Sequence, residues 1–279
     1  MSSHSLTPTF PLLVSVQRLL ILKDQVQIID ARDADYFEKG HIPGAVHLPP
    51  ALFERDEPVS SGILVRRQLQ SLETVAKKMG DAGIRSDVPI IIYDQGGSYI
   101  APRLWWIFQL LGHVECAILN GGYASWASEQ QEVVDFAAAS LGPATYSASF
   151  QPGFRLDFSD VLARAPATVL CNTLSEFPFS EASHPTPRSS TIGTIPGSVR
   201  LPYTQLLFGN PVPLIRRKFE VEAVFAAAGI HRGDSVIFFC ADGYSATLGF
   251  FCSRLLGMRH AAVYDGSLED WRARGGDCE

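Results

Sequence analysis

The chain repeats itself, and that repeat limits what it can fold into. Residues 26–49 read "VQIIDARDADYFEKGHIPGAVHLP", residues 88–112 "VPIIIYDQGGSYIAPRLWWIFQLLG" and residues 116–126 "CAILNGGYASW". The second half follows in the same order with "ATVLCNTLSEF…TIGTIPGSVRLP" over 167–202, "SVIFFCADGYSATLGFFCSRLLG" over 235–257 and "AAVYDGSLEDW" over 261–271. Pro43 matches Pro196, Asp94 matches Cys240 at a separation of 146, and Trp126 matches Trp271 at 145. Asp30 matched to Cys171 gives 141, which puts about 12 extra residues between Thr173 and Gly193 of the second copy. A unit this long is a duplicated domain, not a short solenoid repeat. The division expected is a first domain over 1–140, a linker over 141–155 and a second domain over 156–279.

Each copy alternates apolar runs of strand length with helical patterns. "VQIID", "AVHLP", "PIIIYD" and "CAIL" read as strands, whereas "RRQLQSLETVAKKMG" and "PRLWWIFQLLG" read as helices. That alternation predicts an α/β fold in which each copy is a mostly parallel sheet with helices on both faces. In such sheets the functional crevice lies beyond the carboxyl ends of the strands.

The stretch "VIFFCADGYSATLGFF" over 236–251 places one cysteine at such an end. Val236 to Cys240 suit a buried strand, the small and polar residues Ala241 to Ser245 suit a tight turn, and from Ala246 a helical pattern runs to a capping Gly257. Backbone amides and the helix dipole favour negative charge there, so Cys240 is expected to be thiolate-prone. A cysteine ending an apolar strand is also a common packing residue. Cys116, Cys171, Cys252 and Cys278 have no such loop and read as that commoner case.

A net charge of −6 argues against nucleic acid as the main partner. No apolar run is long enough to span a bilayer. "MSSHSLTPTF" lacks a basic start with an apolar stretch behind it, and the five cysteines are widely spaced without a C-x-x-C pair. The expectation is a cytoplasmic protein that binds neither membrane nor nucleic acid and holds no metal. The seven histidines are scattered without ligand spacing.

"DARDADYFEKGHIPGA" (30–45), "APRLWWIFQLLGH" with "LNGGYASW", and "YDGSLEDW" (264–271), in this order from about residue 12 to 275, resemble the tandem-domain rhodanese sulfurtransferases. That family includes thiosulfate and 3-mercaptopyruvate sulfurtransferases. The resemblance implies two tandem rhodanese-like domains, the first inactive with Asp94 at the cysteine position. It also implies transfer of a sulfane sulfur from a small donor to a thiophilic acceptor through a Cys240 persulfide, with no other cofactor. The acceptor would be a thiol, cyanide or a thioredoxin-like protein. Ala241, Asp242, Gly243, Tyr244, Ser245 and Ala246 would cradle the sulfur, with Tyr244 shaping the pocket mouth.

The sequence departs from the family in ways that bear on substrate. Ala241 and Asp242 stand where rhodaneses carry basic residues, and Asp242 does not match the loop serine of mercaptopyruvate enzymes. By the same resemblance Arg188 matches one of two arginines that hold the substrate carboxylate, whereas Phe177 or Phe179 replaces the other. The second copy reads Cys171-Asn172-Thr173 where the first has Asp30 and Arg32. Asp30, Arg32 and His41 either support the loop across the domain interface or only tie down their own loops, and Asp242 facing His41 would form an ion pair. Trp105, Trp106 and Trp126 read as core, and Trp271 as a residue at the cleft edge.

Two functions compete. One is a sulfurtransferase, with mercaptopyruvate-like donors ahead of thiosulfate because the loop is small and Arg188 is present. The other is a degenerate, non-catalytic binding or regulatory module. A phosphatase loop is excluded, because the sixth residue after Cys240 is Ala246 and no arginine follows before Arg254.

Overall fold

The computed structural model describes residues 10–59, 62–97, 99–135, 142–175 and 193–279. The first half contains strands β1 (Leu13–Val14), β2 (Gln27–Asp30), β3 (Val46–His47), β4 (Glu54–Pro58), β5 (Leu64–Leu69), β6 (Ile90–Tyr93) and β7 (Cys116–Leu119). Its helices are α1 (Val16–Leu22), α2 (Ala34–Glu38), α3 (Leu72–Asp81), α4 (Ile100–Leu110) and α5 (Gly122–Ser128). The second half contains β8 (Arg155–Leu156), β9 (Val169–Asn172), β10 (Val199–Arg200), β11 (Leu207–Phe208), β12 (Leu214–Ile215), β13 (Val236–Phe239) and β14 (Ala261–Tyr264). Its helices are α6 (Phe158–Leu162), α7 (Lys218–Ala227), α8 (Tyr244–Leu256) and α9 (Ser267–Ala273).

The two large sheets have the same plan. One runs β1-β7-β6-β2-β3 and the other β8-β14-β13-β9-β10, with every neighbour pair parallel. The central strands β6 ("IIIY") and β13 ("VIFF") are wholly buried, as expected where helices cover both faces of a parallel sheet. Asp94 and Cys240 follow these two strands directly. The pairing register also corrects the alignment of the repeats. Asp30 lies opposite Tyr93 and Asn172 opposite Phe239, so Asn172, not Cys171, occupies the place of Asp30.

The halves meet through α4 and α8, the helices that follow the two equivalent loops. Every residue of α4 except Gln109 is buried, so the helix is packed on all sides. Trp105 stands edge-on to Phe251 at 4.9 Å, and its indole donates to the Cys116 carbonyl. The expected linker is pinned along part of its length: the Ala144 amide donates to Gly80, those of Ser149 and Gln151 to Leu111 and Leu110, and Tyr146 meets His113 Nδ1 at 2.9 Å.

One expected helix is shorter than its pattern. Residues 66–69 are strand, and α3 begins only after Ser71, whose hydroxyl accepts the Thr74 amide as an N-cap. β4 and β5 form an antiparallel hairpin that leaves the first sheet and lies against α9. Val59 and Val65 pack there on Ala273, while Arg66 pairs with Glu269. No helix among the described residues is long and apolar enough to cross a membrane.

Candidate active site

Cys240 follows β13 directly and has 1% of its surface exposed. Its amide donates to Ser267 Oγ at 3.1 Å, and its thiol faces Asp242 Oδ1 at 3.9 Å. Gly243 turns the chain into α8 with φ 86°, and a Cβ there would collide with the Asp265 carbonyl oxygen, so the turn requires glycine. The helix therefore starts at Tyr244, two residues before its sequence pattern. Ser245 Oγ lies 3.1 Å from Thr173 Oγ1, which is itself 3.2 Å from the Phe239 carbonyl oxygen.

These contacts set the charge state of the sulfur. Burial pushes the Cys240 thiol up and the neighbouring Asp242 carboxylate pushes it further, while the Ser245 hydroxyl and the Ala246 and Asp242 amides draw it back. The balance favours the thiol, which corrects the expectation of a thiolate-prone cysteine. The donors that lower the pKa are present, but burial outweighs them. Cys116, Cys171 and Cys252 are pushed up by burial alone.

The first half places a carboxylate at the equivalent strand end, in a loop two residues longer before its helix begins. Asp94 follows β6 as Cys240 follows β13, and its carboxylate accepts the Gly96 amide at 2.8 Å and the Ala101 amide at 3.0 Å. Ala101 lies in the first turn of α4 as Ala246 lies in the first turn of α8. A loop of this shape thus satisfies a negative group at its strand end.

Charged residues cross between the halves beside the cysteine loop. The fully buried Arg103 of α4 donates to Asp265 Oδ1 at 2.7 Å and to Glu54 Oε1 at 2.9 Å, and Arg155 Nε lies 2.9 Å from Asp265 Oδ2. Burial acts against the Asp265 charge, yet Arg103 and Arg155 hold its carboxyl below the usual range. Burial raises Glu54 despite Arg103. Tyr244 donates to Glu54 Oε2 at 2.7 Å. Arg67 of β5 reaches Asp242 Oδ2 at 3.0 Å and lies over the Tyr244 ring. A cavity of about 230 Å³ opens beside this group, lined by Arg55, Arg67, Glu54, Ile100 and Tyr244 among others.

The residues singled out in the sequence fall into three groups. Ala241 to Ala246 surround Cys240, and Tyr244 lines the cavity. Asp30, Arg32 and His41 are tied within the first half. Asp30 accepts Arg32 Nη2 and the Tyr93 hydroxyl, each at 2.6 Å, and Arg32 reaches Gly40 and Gln95. His41 stacks on Phe37 with ring centroids 3.8 Å apart, and its backbone pairs with Val134. The ion pair expected between Asp242 and His41 is made with Arg67 instead. Arg188, Phe177 and Phe179 lie outside the described residues.

The tryptophans are core. Trp105 and Trp106 are fully buried and Trp126 nearly so. Trp271 is also buried, against Phe158 and Tyr264, and does not edge the cleft. Glu54, Arg67, Arg103, Asp265 and Ser267 were not picked out as site residues from the sequence. A lone arginine inside the apolar α4 was the one available signal, because burying it requires a partner.

Comparison with known proteins agrees with this geometry. Residues 15–129 match the rhodanese-like domain family. The chain is 28% identical over 264 residues to 3-mercaptopyruvate sulfurtransferase from Escherichia coli K12, covering 90% of each. It is 29% identical to the mouse enzyme of that name, over 85% of this chain and 79% of the relative. It is 26% identical to rat thiosulfate sulfurtransferase over the same shares. Among solved structures, SseA from Escherichia coli, which has the rhodanese fold of 3-mercaptopyruvate sulfotransferases, superposes with a TM-score of 0.77 at 26% identity. That match covers 92% of this chain and 98% of SseA. Two sheets of identical strand order, a cysteine directly after the second central strand and relatives matched over most of their length agree: residues 15–129 carry a rhodanese-like domain, and the chain as a whole is similar to 3-mercaptopyruvate and thiosulfate sulfurtransferases.

Proposed function

We propose that the protein carries a sulfane sulfur on Cys240, taking it from a small anionic donor and passing it to a thiol, cyanide or a thioredoxin-like protein. The observation that carries this reading is the pair of equivalent loops. The first holds a carboxylate on two amides, and in the second the Ser245 hydroxyl and the Ala246 and Asp242 amides draw the Cys240 pKa down against its burial. A thiolate that attacks and a persulfide that departs are both anions, and such donors stabilise each. No cofactor beyond the persulfide is needed, and the setting we propose is cytoplasmic.

Charge supports a mercaptopyruvate-like donor ahead of thiosulfate. Asp242 puts a negative group beside the sulfur, and this opposes a dianion more than a monocarboxylate. Arg55 and Arg67 are the cations on the cavity wall, paired with Glu57 and Asp242, and a donor carboxylate there would share one of them. The same features that favour one donor support a second reading. A cysteine that is 1% exposed and held as a thiol also suits a non-catalytic module.

Thiocyanate formation from cyanide, measured with 3-mercaptopyruvate and with thiosulfate, separates the two. Turnover that a Cys240→Ser variant lacks is expected, faster with 3-mercaptopyruvate. A folded protein inactive with both donors overturns the sulfurtransferase reading in favour of the module.

A further inference from the structure

Asp242 is divided between two partners. Its Oδ1 faces the Cys240 sulfur at 3.9 Å, and its Oδ2 accepts Arg67 Nη1 at 3.0 Å. The two residues are 175 positions apart, so the first half of the chain sets the carboxylate of the second. Arg67 is fixed for this task. It has φ 56°, a region that non-glycine residues seldom occupy, its amide donates to Asp56 Oδ1, and its guanidinium lies 5.0 Å from the centre of the Tyr244 ring. Other polar and titratable groups face this pair from each neighbouring element. They are Tyr99 at the start of α4, Arg66 held by Glu269, Tyr244 and Ser245 of α8, and Asp265 behind Gly243. Among these described groups, Asp242 is the carboxylate in contact with the sulfur.

Resting on the sulfur-transfer reading, we propose that Asp242 is the proton carrier for donors whose sulfur leaves carbon, and that Arg67 is the residue that positions it. The Cys240 thiol gives its proton to Asp242 Oδ1. The sulfur's electron pair forms a bond to the sulfur of 3-mercaptopyruvate as the bond from that sulfur to C3 breaks. C3 departs with the bonding pair as the enolate of pyruvate and takes the proton from Asp242. The cysteine sulfur is oxidised to a persulfide, C3 is reduced to a methyl group, and the carboxylate returns to its starting state. With thiosulfate the Cys240 proton must still leave the thiol, but sulfite departs with the bonding pair and no carbon has to be protonated, so the return of the proton from Asp242 is not needed. Toward that donor Asp242 also adds a like charge beside the sulfur.

The test compares kcat/KM for both donors, with cyanide as acceptor, in the full-length protein and Asp242→Asn. Alkylation of Cys240 by iodoacetamide is followed against pH without donor. Asp242→Asn should lower the ratio of 3-mercaptopyruvate to thiosulfate activity about a hundredfold, the usual size of a general acid–base contribution. It should also alkylate at lower pH than wild type, because a negative charge has left the sulfur. Arg67→Ala should move alkylation to higher pH, Arg67→Lys should restore it in part, and Arg67→Ala combined with Asp242→Asn should match Asp242→Asn alone. An unchanged donor ratio overturns the proton-carrier role. An Arg67→Ala shift that persists without Asp242 overturns the positioning role. A wild-type protein that transfers from neither donor overturns the functional reading itself, and this inference with it.

Discussion

Arg103 donates to Asp265 at 2.7 Å with both side chains buried, and this pair joins the helix after the first loop to the turn after the last strand of the second sheet. The same guanidinium holds Glu54, which receives the Tyr244 hydroxyl from the cysteine helix. A charge network therefore fixes the position of one half's loop relative to the other.

Removing that guanidinium leaves two buried carboxylates short of a partner. Arg103→Met is expected to destabilise the protein by about 3–5 kcal/mol, the usual cost of breaking a buried ion pair from one side. Urea unfolding followed by circular dichroism checks this. A loss below about 1 kcal/mol, the range of surface pairs, would contradict it.

His113 should give the fold a pH dependence of its own. Burial lowers its pKa to about 4 against weaker opposition from hydrogen bonds at Val88 and Glu115. A histidine held below its ordinary value of about 6.5 contributes stability that is complete above that pH and is lost as pH falls toward the folded value. The span corresponds to about 3 kcal/mol as an order of magnitude. Unfolding free energies of wild type and His113→Phe should therefore converge between pH 6.5 and pH 4. Curves that stay parallel would show that the imidazole titrates alike in folded and unfolded chains.

Ser245 lowers the Cys240 pKa. Ser245→Ala should shift the pH midpoint of Cys240 alkylation upward by about one unit, the size of one hydrogen bond to a charged group. A midpoint that stays or falls would mean the hydroxyl does not donate to the sulfur.

Much of the fold was legible because parallel sheets impose a local rule. Strands buried on both faces must be apolar runs, and "IIIY" and "VIFF" are such runs. The loop after Cys240 was legible for the same reason, since a strand end, a glycine and a helix start follow one another along the chain. The interface was not legible. Arg67 lies in a stretch read as helix, and its partner Asp242 is fixed by how the halves pack, which no local period records. Asn172 was placed one residue out because register is set by pairing with Phe239, not by identity with Asp30. The strand end before Trp271 suggests the cleft, but the neighbouring Phe158 and Tyr264 rings draw it into the core.

The most direct measurement is the intact mass of the protein after exposure to 3-mercaptopyruvate, with the modified residue located by peptide mapping. A gain of one sulfur atom on Cys240, absent in Cys240→Ser and removed by cyanide, is the predicted result. No gain, or a gain on another cysteine while Cys240 stays free, would contradict the account.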